Sequence, residues 1–130
     1  MMEKIFLKNL RPSVYKKTRS LGEHIIAEFW GVKIEKGIKE IEEILVEAAK
    51  KASNTPLKVV SHEFSPRGFS AVILLAESHI ALHYWPEKEY LAVDFFTCGS
   101  QSTPQKGLEY LKEKFNPQKV EIQKIIRGRH

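Results

Sequence analysis

The sequence predicts a single α+β domain: a two-layer sandwich in which helices pack on one face of an antiparallel sheet. Three observations point there. Six runs of strand length are rich in β-branched, aromatic or alternating apolar residues. Two further stretches carry apolar residues at spacings of three and four, the period of an amphipathic helix. Four of the strand runs follow one another with only short turns between them, which favours antiparallel pairing. With 130 residues the chain is long enough for one hydrophobic core.

Residues 1–20, with Arg11-Pro12-Ser13 inside, read as an N-terminal arm. Residues 23–30 form the first predicted strand, closed by Gly31. A helix is predicted over 36–53, because Ile34, Ile38, Ile41, Leu45, Ala48 and Ala52 make one apolar stripe opposite Glu and Lys. Asn54-Thr55-Pro56 should stop it. Strands are predicted over 57–64, 69–76, 79–85 and 90–96, with Ser65-Pro66-Arg67-Gly68 as a turn and Thr97-Cys98-Gly99-Ser100 breaking the pattern. Thr103 and Pro104 have the order of an N-cap and first-turn proline. Leu108, Leu111 and Phe115 then mark a second helix, ended by Asn116-Pro117. The last strand spans 120–126, with Val120, Ile122 and Ile126 on one face.

Composition narrows the classes of function. Hydrophobic residues make up 42% and charged residues 28%, ordinary for a soluble domain. No apolar run approaches the ~20 residues of a membrane-spanning helix, and the first ten residues do not read as a secretory signal. A lone cysteine, Cys98, has no disulfide partner, and no ligand spacing for a metal is evident, so a reducing cytoplasm and no metal are expected. The net charge of +5 comes from dispersed basic residues with local excesses only at 11–19 and 124–129. That pattern is a solvated surface near basic ends rather than a nucleic-acid footprint.

The chemistry concentrates in residues 75–87. Glu77-Ser78-His79 lies between two apolar runs, and His83, Trp85 and Glu87 follow at alternate positions. On a strand, His79, Ala81, His83 and Trp85 share one face. Ser78 falls at the hairpin connection, where a tight turn can strain a peptide bond and expose its carbonyl. A serine hydroxyl there can attack the carbonyl before its own nitrogen, exchanging the amide for an ester. A base with a near-neutral pKa, a role suited to His83, can then remove the Ser78 Cα proton and expel the ester by β-elimination. The dehydroalanine left behind hydrolyses to a pyruvoyl group. An oxyanion donor is also required. On these residues alone, a polar hairpin end with a hydrogen-bonded histidine accounts for the pattern as well.

Four blocks taken together go further: Phe64-Ser65-Pro66-Arg67-Gly68-Phe69-Ser70, Ala76-Glu77-Ser78-His79-Ile80, His83-Tyr84-Trp85-Pro86-Glu87 and Asp94-Phe95-Phe96-Thr97-Cys98-Gly99. With these blocks the chain resembles the prokaryotic S-adenosylmethionine decarboxylase proenzyme family over residues 21–129. The resemblance implies cleavage between Glu77 and Ser78, giving a β chain of 1–77 and an α chain of 78–130. It implies that Ser78 becomes the covalent pyruvoyl cofactor, whose ketone forms a Schiff base with the substrate amine. His83 would be the processing base, Ser70 its assistant, and Cys98 the donor that returns a proton to the substrate carbon. Phe64 and Trp85 would stack on adenine, and Glu87 would accept hydrogen bonds from the ribose hydroxyls. The substrate implied is S-adenosylmethionine, for polyamine and spermidine synthesis, and the assembly a homodimer of αβ protomers. Tyr84, Lys88-Glu89-Tyr90 and Phe69 depart from the usual residues around these motifs.

Three other readings share parts of the pattern. A relative with the same cleavage chemistry would decarboxylate arginine or another basic amino acid. A non-catalytic dimer partner would keep the fold and stay uncut. A basic nucleic-acid-binding domain would bind with strong salt dependence.

Overall fold

The computed structural model describes residues 20–99 and 101–130. The predicted arm, apart from Ser20, lies outside them. The element order is β1 (Gly22–Trp30), α1 (Ile38–Lys51), β2 (Pro56–Glu63), β3 (Phe69–Leu75), β4 (Ser78–Trp85), a 3₁₀ turn (Pro86–Lys88), β5 (Tyr90–Cys98), α2 (Pro104–Phe115) and β6 (Lys119–Arg127). The six strands form one sheet in the order β2-β3-β4-β5-β1-β6, with every neighbouring pair antiparallel. Both helices cover the same face, giving the predicted two-layer α+β sandwich.

Alternation along the strands builds the core. Ile25, Ala27 and Phe29 of β1, Ile80, Leu82 and Tyr84 of β4, and Leu91, Val93 and Phe95 of β5 are buried beneath the helices. They meet Ile41, Leu45 and Ala48 of α1 and Leu108, Leu111 and Phe115 of α2. The opposite face has no cover among the described residues. It exposes Trp30, Val60, Val72, Leu74 and Trp85, more apolar surface than isolated exposed side chains would give.

Three boundaries differ from expectation. Helix α1 begins at Ile38, after Gly37, so Ile34 packs on the core from the preceding loop. It ends because Ser53 turns left-handed (φ 58°). Ser53 N–H then bonds the Lys50 carbonyl and Asn54 N–H the Ala49 carbonyl, a Schellman closure that precedes Pro56. Thr97 and Cys98 do not break β5 but complete it, since both pair with β1. Thr103 stands at the start of α2 without a side-chain cap bond. Its backbone N–H is committed to the Ala52 carbonyl at 2.8 Å, tying α2 to the end of α1.

Candidate active site

The turn between β3 and β4 puts the Glu77–Ser78 peptide in an unusual state. Ser78 has φ 142°, a region that L side chains rarely adopt and that costs about 1–3 kcal/mol. The Glu77 carbonyl oxygen accepts the Cys98 N–H at 2.9 Å. An amide donor therefore already points at the oxygen on which charge would develop if Ser78 attacked. The Glu77 carboxylate accepts two more bonds, from Thr55 N–H at 2.9 Å and Thr55 Oγ at 3.1 Å. Ser78 and Cys98 line a cleft of about 760 Å³ with Glu23, Phe96, Thr97 and Ser102. Gly22 faces Cys98 in register, and a Cβ there would lie 2.4 Å from the Thr97 carbonyl oxygen. Glycine is thus what lets the strands close at this end.

A second group gathers at the other end of the same hairpin. Ser70 and His83 are cross-strand partners, and Ser70 Oγ lies 2.7 Å from His83 Nδ1. They line a pocket of about 290 Å³ with Phe64, Arg67, Trp85 and Glu87. Phe64 is 51% exposed and Trp85 45% exposed, so both rings are available at the surface. His83 and Trp85 lie on the uncovered sheet face, with ring centroids 6.3 Å apart.

The structure does not bring these groups together within one chain. Ser78 and His83 are the first and sixth residues of β4, about 16 Å apart along an extended strand. Ser78 with Cys98 forms one half of the constellation expected from the sequence. Ser70, His83, Phe64, Trp85 and Glu87 form the other.

Two clusters escaped the sequence reading. His24, His79 and Asp94 converge on the uncovered face, their ligand-type atoms all within 4.8 Å of one another. His24 Nε2 pairs with Asp94, and the Arg127 guanidinium lies 3.4 Å from His24 Nδ1. Arginine only donates, so Nδ1 accepts and Nε2 carries the proton given to Asp94. The donor set has metal-ligand chemistry, but Arg127 places a fixed positive charge against it. The second cluster is a stack: Trp30 and Tyr90 at 4.4 Å, Tyr90 and Trp85 at 5.5 Å. Tyr90 donates its hydroxyl to Glu28. Burial, then that hydrogen bond and the Glu28 charge, push its phenol well above the ordinary range. Both clusters join strands distant in sequence, and only the sheet order reveals them.

The fold is that of a small two-layer α+β sandwich with an open cleft at the β3–β4 turn. A family model described as S-adenosylmethionine decarboxylase matches residues 23–128. A protein named S-adenosylmethionine decarboxylase proenzyme from Moorella thermoacetica is 46% identical over 112 residues, covering 85% of this chain and 90% of the relative. One of the same name from Methanococcus maripaludis is 40% identical over 112 residues, covering 85% of this chain and 92% of its own. The crystal structure of the adenosylmethionine decarboxylase from Aquifex aeolicus superposes with a TM-score of 0.78 at 37% identity, covering 85% of this chain and 92% of that one. The chain belongs to the S-adenosylmethionine decarboxylase family. The family resemblance carried by the sequence motifs is borne out.

Proposed function

We propose that this chain is a self-processing decarboxylase of S-adenosylmethionine, supplying the decarboxylated aminopropyl donor for polyamine synthesis. The observation that carries the reading is the Glu77–Ser78 linkage: a strained serine follows a carbonyl already held by the Cys98 N–H. In the proposed processing, Ser78 Oγ attacks the Glu77 carbonyl carbon while its proton passes to the departing nitrogen. The tetrahedral oxyanion is stabilised by Cys98 N–H. Collapse leaves Glu77 esterified to Ser78. A base then takes the Ser78 Cα proton, and the Cβ–O bond breaks, freeing Glu77 as a carboxylate. The unsaturated residue 78 takes up water and releases ammonia.

The residues at this position fit the resulting pyruvoyl group, because the half-buried Cys98 and Ser78 line one open cleft. When formed, that group supplies an electron-withdrawing ketone for the substrate amine and a sink for the electron pair left by CO2. The Cys98 thiol holds the proton that the substrate carbon takes back. Phe64 and Trp85 offer faces for adenine and for the sulfonium cation. Glu87 accepts the ribose hydroxyls. Ser70 Oγ, 2.7 Å from His83 Nδ1, orients the ring; in the tautomer in which Nδ1–H donates to Ser70, the Nε2 lone pair faces outward to take the proton.

The distance between Ser78 and His83 would give a homodimer a purpose. Two copies, meeting through their uncovered sheet faces, would place Ser78 and Cys98 of one chain beside Ser70, His83, Phe64, Trp85 and Glu87 of the other. The exposed apolar residues of that face support such a contact.

Intact-mass measurement tests the self-cleavage. The wild-type chain of 15.0 kDa is expected to yield two fragments split before residue 78, the smaller with a blocked amino end. Ser78→Ala is expected to stay whole and to release no CO2 from S-adenosylmethionine. A wild-type chain that stays whole after long incubation contradicts the reading, and turnover of arginine alone contradicts the substrate.

A further inference from the structure

The hairpin turn does not hold its strained geometry alone. Asn54, the last residue of the closure of α1, and Thr55 after it reach both sides of the scissile linkage. Thr55 donates its backbone N–H and its hydroxyl to the Glu77 carboxylate, at 2.9 and 3.1 Å. Its carbonyl accepts the Ala76 N–H at 3.0 Å. Three bonds therefore fix the turn residues immediately before Ser78. Asn54, buried, donates to Ser102 Oγ at 3.2 Å, and Ser102 donates to Thr97 Oγ at 2.7 Å. Thr97 is the register partner of Ser78 and precedes Cys98, whose N–H holds the Glu77 carbonyl.

We infer that Thr55, seconded by Asn54, is a positioning residue for self-cleavage: it clamps Glu77 so that its carbonyl stays on the Cys98 N–H and within reach of Ser78 Oγ. The inference rests on cleavage at Glu77–Ser78. Thr55 touches no reacting atom and acts through the Glu77 side chain. A free Glu77 would let the turn relax toward an ordinary backbone conformation, moving the carbonyl off its donor. A misplacement of this kind is costly for reactions governed by near-attack geometry. Once the linkage is cut, the clamp has no further task in turnover, because neither Thr55 nor Glu77 lines the cleft of Ser78 and Cys98 or the pocket of Phe64, Trp85 and Glu87.

The test compares Thr55→Val, Thr55→Ser and wild type by intact-mass time courses on freshly made full-length protein. Thr55→Val keeps shape and the backbone N–H but loses the hydroxyl bond. Its cleavage is expected to slow by at least about tenfold, the loss of one charge-assisted hydrogen bond. Thr55→Ser is expected to cleave within about twofold of wild type. After cleavage has run to completion, all three are expected to share kcat and KM, a split that general destabilisation would not produce. Thermal melting identifies a variant that fails to fold. In that case Glu77→Gln, which weakens the same bonds without altering Thr55, is expected to show the slowing. Wild-type cleavage rates in Thr55→Val, or in Glu77→Gln where that variant replaces it, overturn the inference. An uncut wild type overturns the self-cleavage reading instead.

Discussion

Ser78 at φ 142° sits where a side chain is unwelcome, and the surrounding bonds hold it there. That a turn would fall near Glu77 was legible from two apolar runs separated by polar residues. That the turn could strain the peptide before Ser78 was legible too; the bonds that hold it there were not, because Thr55 and Cys98 are remote in sequence. Tyr90 teaches the same lesson. Nothing in the run Glu89-Tyr90-Leu91 announces a phenol held between two tryptophans and bonded to Glu28. Its folded pKa lies above the usual 10.0, so the folded state binds this proton more tightly than the unfolded chain. The sign follows: the contribution is complete below pH 10.0 and is lost as pH rises past it. Melting temperature is expected to fall less steeply above pH 10.0 in Tyr90→Phe than in wild type. Equal slopes would contradict the assignment.

At the level of elements, periodicity served well wherever a stripe faces the core. The stripe of Ile41, Leu45 and Ala48 marked α1, and Leu108, Leu111 and Phe115 marked α2. Ends were less legible, because tertiary bonds decide them. Thr103 takes the N-cap position and Pro104 the first turn as expected, but the buried Thr103 hydroxyl makes no hydrogen bond, and the Thr103 N–H ties α2 to the Ala52 carbonyl. Cys98 reads as part of a break because glycine and serine follow it; pairing with Gly22 keeps it in β5. Glycine in the middle of α2 has a packing reason. A Cβ at Gly107 would lie 2.6 Å from the Phe95 ring and 2.9 Å from the Ala48 carbonyl oxygen. Gly107→Ala is therefore expected to lose about 1–3 kcal/mol of stability in denaturant titration, despite alanine's better helix propensity. An unchanged or raised midpoint would show that the helix can move away.

Across the whole molecule, the motifs named residues of one centre, but within one chain they lie at different places along the neighbouring strands β3, β4 and β5. Local spacing could place Ser70 beside His83, since a hairpin brings adjacent strands into register. The same spacing, five residues along a strand, already sets Ser78 far from His83, a separation that reading the motifs as one centre passes over. The uncovered face follows from both helices lying on the other side, and its tryptophans, valines and leucine are what a second copy would bury. The most direct test is co-expression of Ser78→Ala with His83→Ala, followed by intact-mass measurement of each chain. Alone, both are expected to remain whole. Together, the His83→Ala chain is expected to be cut, its Ser78 served by His83 of the other copy, while the Ser78→Ala chain stays intact. If the His83→Ala chain remains whole in the mixed dimer, or is cut when expressed alone, the shared centre is contradicted.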